Sequence, residues 1–329
     1  MTSSGIASGK YVLFGASGLV GSHALTRLSG QPDVEVLAVS GKRALTSSAG
    51  NVKTVQADLT DEEICNQLCE GADYVLIFAG VVASAPVLAQ DPIGPVQTNL
   101  KIAVNCMEAA WRNKVRHCVW LSSTTGYSPL EGNITEDQMF LGDPPGNWFG
   151  LGWMTRYVEK FARHLAENVN DPIAITALRP SLVYGENDHF NEENAHFLPS
   201  LIRRVVGREK PIEVWGNGEQ TRDVIHADDV VNAALLALHR KSLFADYNIA
   251  FGESYSVNHI LSLICSIDSY DDVEITYRLD KPQSLAKRAF SIRKAQKEIG
   301  FEAKVSLDEG LKRTISWYRE NIDKAEAWK

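Results

Sequence analysis

The chain has 329 residues, 44% of them hydrophobic and 22% charged, which is the balance of a folded globular protein. A net charge of −8 argues against a general binder of nucleic acid or of anionic membrane surfaces. The length fits one large α/β unit or two unequal lobes.

Residues 1–9 are small and polar and lack the basic start and apolar core of a secretion signal, so they are expected to form a disordered tail. Tyr11–Phe14 predicts a first strand and Leu19–Leu28 a helix, with Gly15, Gly18 and Gly21 between and into them. Gly15 permits a sharp turn out of the strand, Gly18 a close backbone approach to a pyrophosphate, and Gly21 tight packing of helix on sheet. That is the layout of a dinucleotide site, with Ser17 and Leu19 completing the turn beneath the phosphates. The bland alternative is an ordinary glycine-bearing strand-to-helix turn.

Further strands are expected at Val34–Val39, Val52–Gln56, Tyr74–Phe78, Cys118–Leu121 and Ile173–Leu178, with helices at Glu62–Cys69, Pro95–Trp111 and Met154–Glu167. The alternation predicts a doubly wound parallel sheet, the Rossmann arrangement, with right-handed crossovers. The longest apolar stretch, Tyr74–Ala89, is interrupted by Gly80 and Pro86, is too short to span a membrane, and reads as a buried strand followed by a loop. After Pro180 loops lengthen, and short strands at Ile212–Trp215 and Val273–Tyr277 alternate with helices, one of them at Ala227–His239. The expected division is a dinucleotide-binding domain over 10–180 with a returning segment near 225–250, and a smaller interwoven substrate lobe over 181–224 and 251–329.

Strand two ends Val39-Ser40-Gly41-Lys42-Arg43, with no acid where a free ribose 2′-hydroxyl would be bound. Lys42 and Arg43, with Ser40 as a donor, suit a 2′-phosphate, so NADP is expected ahead of NAD; the alternative is a solvated basic loop. Asp58 either accepts from the adenine amino group or serves N-cap chemistry near Asp61 and Glu62. Leu59, Ala79, Gly80 and Pro180 complete the expected cofactor set. Cysteines 65, 69, 106, 118 and 265 have no zinc-like spacing, so no metal and a reducing, cytoplasmic setting are expected.

The glycine triplet, Asp58-Leu59, Asn99, Ser122-Ser123 with Tyr127, and Arg179-Pro180-Ser181-Leu182-Val183-Tyr184-Gly185 fall in an order that resembles an extended short-chain dehydrogenase/reductase of the NAD-dependent epimerase/dehydratase type. The stretches Asn194–Pro199, Ile212–Gly218 and Arg222–Asp229 are most similar to the GDP-fucose synthase-like group within it. The resemblance implies a nucleoside-diphosphate sugar as substrate. It also implies a carbonyl-binding role for Ser123, an acid/base role for His196 with Thr125 at its partner's position, and sugar- or diphosphate-side roles for Asn99, Arg204, Trp215 and Arg222. It further implies a homodimer joined through Pro95–Trp111 and Met154–Glu167.

One departure stands out. The family's Tyr-x-x-x-Lys pair falls on Leu151 and Thr155, and neither side chain can carry out its chemistry. Tyr157 and Lys160, three apart, are the candidate substitute, and Arg156 could replace the lysine's charge. Tyr277 and Lys281 have the right spacing but lie outside the dinucleotide-binding portion. Among the other histidines, His23 is expected to pack, His226 to precede an acidic helix start, and His117, His164, His239 and His259 to be structural or surface groups. Net 4-keto reduction, epimerisation or dehydration is expected; the alternative is a catalytically silent sensor or scaffold with the same fold.

Overall fold

The computed structural model describes residues 5–81, 85–192, 195–280 and 288–328. Its apolar strands are β1 (Gly9–Phe14), β2 (Val34–Ser40), β3 (Val52–Gln56), β4 (Tyr74–Ile77) and β5 (His117–Leu121). With Ala174–Pro180 and Phe244–Ile249 they form a seven-stranded parallel sheet. From one edge the order is Phe244–Ile249, Ala174–Pro180, β5, β4, β1, β2, β3. The strand order reverses between β1 and β4, with Leu13 opposite both Ala38 and Leu76, and this switch point opens a crevice at the carboxyl ends of the strands.

β4 is buried along its whole length because helices cover both faces of the sheet. On one face α1 (Leu19–Leu28) and the Ala227–Ala237 helix pack Val20, Ala24, Val230 and Ala234 against Leu13 and Leu76. On the other, α2 (Glu62–Leu68), α4 (Gly94–Arg112) and α5 (Phe149–Glu167) bury Cys65, Cys106, Met107 and Val158 against Val12 and Val75. The short α3 (Ala85–Gln90) lies where the sequence suggests only a loop.

The second lobe has its own core, in which Leu201, Ile202, Ile260, Ile264 and Leu311 join the helices Phe197–Val206, Val257–Ile267 and Leu307–Glu320. Its strands are short pairs. Ile212–Trp215 runs parallel to Ile275–Arg278, which starts two residues later than expected, and Arg288–Phe290 runs parallel to Gly132–Ile134.

Two expectations need correction. Residues 5–9 are not a loose tail: Ile6 is 2% exposed within the main core, and the carbonyls of Gly5 and Ala7 bond His239 and Tyr11. Helix α5 starts at Phe149, five residues ahead of the predicted Met154. Gly150 and Gly152 weaken its local helical signal, but Gly152 allows a contact that overrides it. A Cβ there would stand 2.5 Å from Pro144 and 2.7 Å from the Thr125 carbonyl.

Candidate active site

The glycine turn is a cradle shaped by absent side chains. Gly15 has φ +85°, and a Cβ on it would stand 2.5 Å from the amide of Ala79. A Cβ on Gly21 would strike the Gly15 carbonyl at 2.0 Å. Gly18 sits at the N-cap of α1 with no side-chain cap, so the first-turn amides face the crevice. These features fit the diphosphate of a dinucleotide.

The other expected cofactor residues ring this cradle. Ser40 is buried, and its hydroxyl faces the Val55 carbonyl. Lys42 is exposed, whereas Arg43 is half-buried with its guanidinium carbon 3.6 Å from the Trp328 ring centroid. Asp58 is exposed and accepts from the amide and hydroxyl of Thr60, which hold its pKa down. The N-cap of α2 is Asp61. Leu59 is buried and its carbonyl accepts from Asn105. Asn99, expected on the substrate side, instead grips the backbone of Val81: its carbonyl accepts from the Val81 amide at 2.7 Å and its NH2 donates to the Val81 carbonyl at 3.0 Å. It therefore fixes the Ala79–Val81 exit of β4 along the crevice, and Pro180 ends the strand on the far side of β5.

Beyond β5, Ser123 caps the short helical turn Thr124–Gly126. Its Oγ accepts from the Thr125 amide at 3.1 Å and from the Thr125 hydroxyl at 2.9 Å. A hydroxyl has two acceptor sites and one proton. With both acceptor sites filled, Ser123 has its proton left to donate.

The turn rests on a buried charged network. Glu159 on α5 accepts from Ser122 and from both Nε and Nη2 of Arg179, which also reaches Asp246 and Tyr127. Burial pulls the Arg179 pKa down, but the charge and hydrogen bonds of Glu159 outweigh it and raise the pKa overall. Tyr127, fully buried, donates to Asn248 and accepts from Arg179, and burial raises its pKa above the ordinary phenol value, so this tyrosine braces the turn. Arg156 is likewise structural: it is 1% exposed and donates to the carbonyls of Gly126, Leu141 and Gly142.

The inner face of α5, which meets the turn, carries Leu151 (9% exposed) and Thr155. Leu151 lines an apolar cleft of about 310 Å³ with Leu88, Ala89, Pro92 and Val96. The early helix start therefore leaves the tyrosine and lysine positions to these two residues. Tyr157, 59% exposed, faces outward one and two turns beyond the exposed Trp153 and Phe149. The Lys160 ammonium lies 3.9 Å from the Phe140 ring, in a cleft at the Phe244–Ile249 edge of the sheet. The helix thus separates Tyr157 and Lys160 from the Ser123 turn, and the expected substitute pair is not assembled there.

On the substrate side His196 is exposed ahead of the Phe197–Val206 helix, next to residues 193 and 194, which lie outside the described residues. Trp215 is 54% exposed. Arg204 is committed elsewhere, to Glu209 through Nε and Nη2 and to the Glu213 carbonyl through Nη1. Arg222 lies over Phe197, and burial pulls its pKa down. Arg288, which no sequence motif flagged, is on the strand beside Thr221–Arg222. Its Nη2 reaches toward the Thr124 carbonyl at 3.4 Å, and its buried Nε has no partner among the described residues. Burial pulls its pKa down as well. Arg288, at the Ser123 turn with an Nε that has no partner among the described residues, is suited to bind an anion.

His23, Glu186 and His226 bring potential ligand atoms within 4.8 Å of one another, but their bonding is that of a clamp. The His226 Nδ1 accepts from the Asp228 amide, so its Nε2 carries the proton and donates to Glu186 at 3.0 Å. His23 bonds Asp228 at 2.6 Å, and Arg313 crosses from the second lobe to both carboxylates. Desolvation raises the Glu186 pKa, but bonds from His226 and Arg313 overcome this and hold it at about 2.

A doubly wound sheet, a glycine cradle at its switch point and a second lobe with its own core define a dinucleotide-binding α/β protein with an added lobe. The profile of the NAD dependent epimerase/dehydratase family matches residues 11–250, and the chain belongs to that family. It is 26% identical over 322 residues to GDP-L-fucose synthase 1 of Arabidopsis thaliana, covering 96% of this chain and 94% of that protein. It is 22% identical to GDP-L-colitose synthase of Yersinia pseudotuberculosis, covering 94% and 97%. The fold is similar to UDP-glucose 4-epimerase of Thermotoga maritima, solved with UDP-glucose, at TM-score 0.83 and 24% identity over 95% of this chain and 99% of that one.

Proposed function

We propose that the chain is an NADP-dependent epimerase or reductase of a nucleoside-diphosphate sugar, GDP-sugars being the first class to test. The observation that carries this reading is Arg288, whose Nη2 reaches the Thr124 carbonyl at 3.4 Å and whose buried Nε has no partner among the described residues, with Arg222 on the adjacent strand. A dinucleotide-binding sensor has no need of them. The names of the sequence relatives agree with a GDP-sugar.

In this reading Arg222 and Arg288 hold the diphosphate and place the sugar over the crevice. Ser123 donates its hydrogen bond to the oxygen at the reacting sugar carbon. A nicotinamide, when bound, exchanges a hydride with that carbon. His196, exposed ahead of the Phe197–Val206 helix, is the candidate proton carrier, since Leu151 and Thr155 hold the usual acid/base positions. The partner is a second copy of the chain, docked through α4 and α5. Phe149, Trp153 and Tyr157 form an exposed stripe along α5 at a spacing of four residues.

The test is fluorescence titration with NADPH and NADH, followed by GDP-, UDP-, dTDP- and CDP-linked 4-keto sugars with NADPH oxidation as readout. Tighter binding of NADPH and turnover of one sugar nucleotide are expected. Binding without turnover across the panel would favour the sensor. Sedimentation of wild type and Trp153→Arg tests the dimer, which the charge should dissociate.

A further inference from the structure

The expected 2′-end of the cofactor site is completed from an unexpected direction. Arg43 follows β2, whose last residues neighbour the glycine cradle: the Gly15 amide bonds the Val39 carbonyl at 3.0 Å. Its guanidinium carbon lies over the ring of Trp328 in the second lobe, 3.6 Å from the centroid. Trp328 is itself shelved on other rings, with Trp317 at 5.8 Å and His189 edge-on at 6.5 Å, and Trp317 leans on Phe190. Burial pulls the Arg43 pKa down, with no offsetting carboxylate charge among the described residues. Arg43 is therefore a partly desolvated cation whose face is satisfied by an indole, and stacking on a ring leaves the in-plane N–H donors to bind elsewhere. Those donors match two oxygens of a phosphate monoester. Lys42, the other cation of the loop, is exposed and has no such support among the described residues.

We propose that Trp328 is a specificity-determining residue of the cofactor site, a plate that orients Arg43 for the 2′-phosphate. This rests on the NADP reading above. The stack fixes a long side chain before the ligand arrives, so binding no longer has to order it. It also ties the second lobe to the nucleotide-binding lobe over the adenosine end of the crevice.

The experiment is calorimetric titration with 2′,5′-ADP and with 5′-AMP, which differ only in the 2′-phosphate, on wild type, Arg43→Ala, Trp328→Ala and Trp328→Phe. Wild type should prefer 2′,5′-ADP, and Arg43→Ala should abolish the preference. Trp328→Ala should weaken 2′,5′-ADP about five- to tenfold with 5′-AMP unchanged, and Trp328→Phe should restore most of the loss. If wild type does not distinguish the two ligands, the NADP reading and this inference fall together. If wild type and Arg43→Ala behave as expected but Trp328→Ala binds 2′,5′-ADP as well as or better than wild type, the cofactor reading stands and Trp328 has no orienting role.

Discussion

Glu159 and Arg179 meet in a two-pronged ion pair, Oε1 to Nε at 2.8 Å and Oε2 to Nη2 at 2.6 Å, with both side chains 1% exposed. The pair joins α5 to the strand Ala174–Pro180, and Ser122 hangs from it, so it sets the height of the Ser123 turn. Removing one partner strands a buried charge. Arg179→Met should lower unfolding free energy by about 3–5 kcal/mol in urea denaturation. The double variant Glu159→Leu/Arg179→Met should recover part of that loss. A double variant no more stable than Arg179→Met would show that the pair is not the source of the effect.

The hydroxyl pair of Ser123 and Thr125 should separate chemistry from binding. Ser123→Ala removes the donor aimed at the sugar oxygen and should lower kcat about 10²–10³-fold with NADPH affinity unchanged. Thr125→Val removes one support of that donor and should cost less. Tyr157→Phe should leave turnover within twofold, since the phenol lies on the outer face of α5. A tenfold loss in Tyr157→Phe would return that residue to the chemistry.

Arg288 and Arg204 are predicted to behave oppositely. Arg288→Met should weaken GDP binding by about 2 kcal/mol, roughly 30-fold, because a charge-assisted contact in a desolvated site is lost. Arg204→Met should leave GDP affinity nearly unchanged and lower stability instead, since its guanidinium is engaged by Glu209 and the Glu213 carbonyl. Calorimetry with GDP on both variants checks this.

Much of this architecture is legible along the chain because it is local. β4 is apolar throughout because both of its faces are covered, and the placing of Gly18 and Gly21 follows from contacts with nearby Gly15 and Ala16, although Gly15 itself is held by the close approach of Ala79. What the sequence hides is made by distant partners. The start of α5 is masked by Gly150 and Gly152, whose poor helical tendency is overridden by packing against Pro144 and Thr125. Arg288 carries no motif, and its meaning comes from Thr124, 164 residues away. His23 reads as a packing residue until Asp228, 205 residues on, and Arg313 are seen to enclose it. The missing Tyr-x-x-x-Lys pair was visible as a departure, but the outward direction of Tyr157 required the helix to be built.

Asp188 supplies a pH-dependent test of the loop that carries this clamp. It is 2% exposed, one oxygen accepts from the His189 amide, and the other has no partner among the described residues. Burial raises its pKa from 3.8 to about 7. Between those values the folded chain keeps a proton that the unfolded chain has released, so this group's contribution to stability is full below about pH 4 and is lost as pH rises toward 7. Asp188→Asn keeps the acceptor for His189 and removes the titration. Whatever fixed offset the new amide brings, stability relative to wild type should rise between pH 5 and pH 8 by about 2–4 kcal/mol. Urea midpoints at the two pH values measure this difference, and a difference independent of pH would mean that Asp188 is ionised throughout the range.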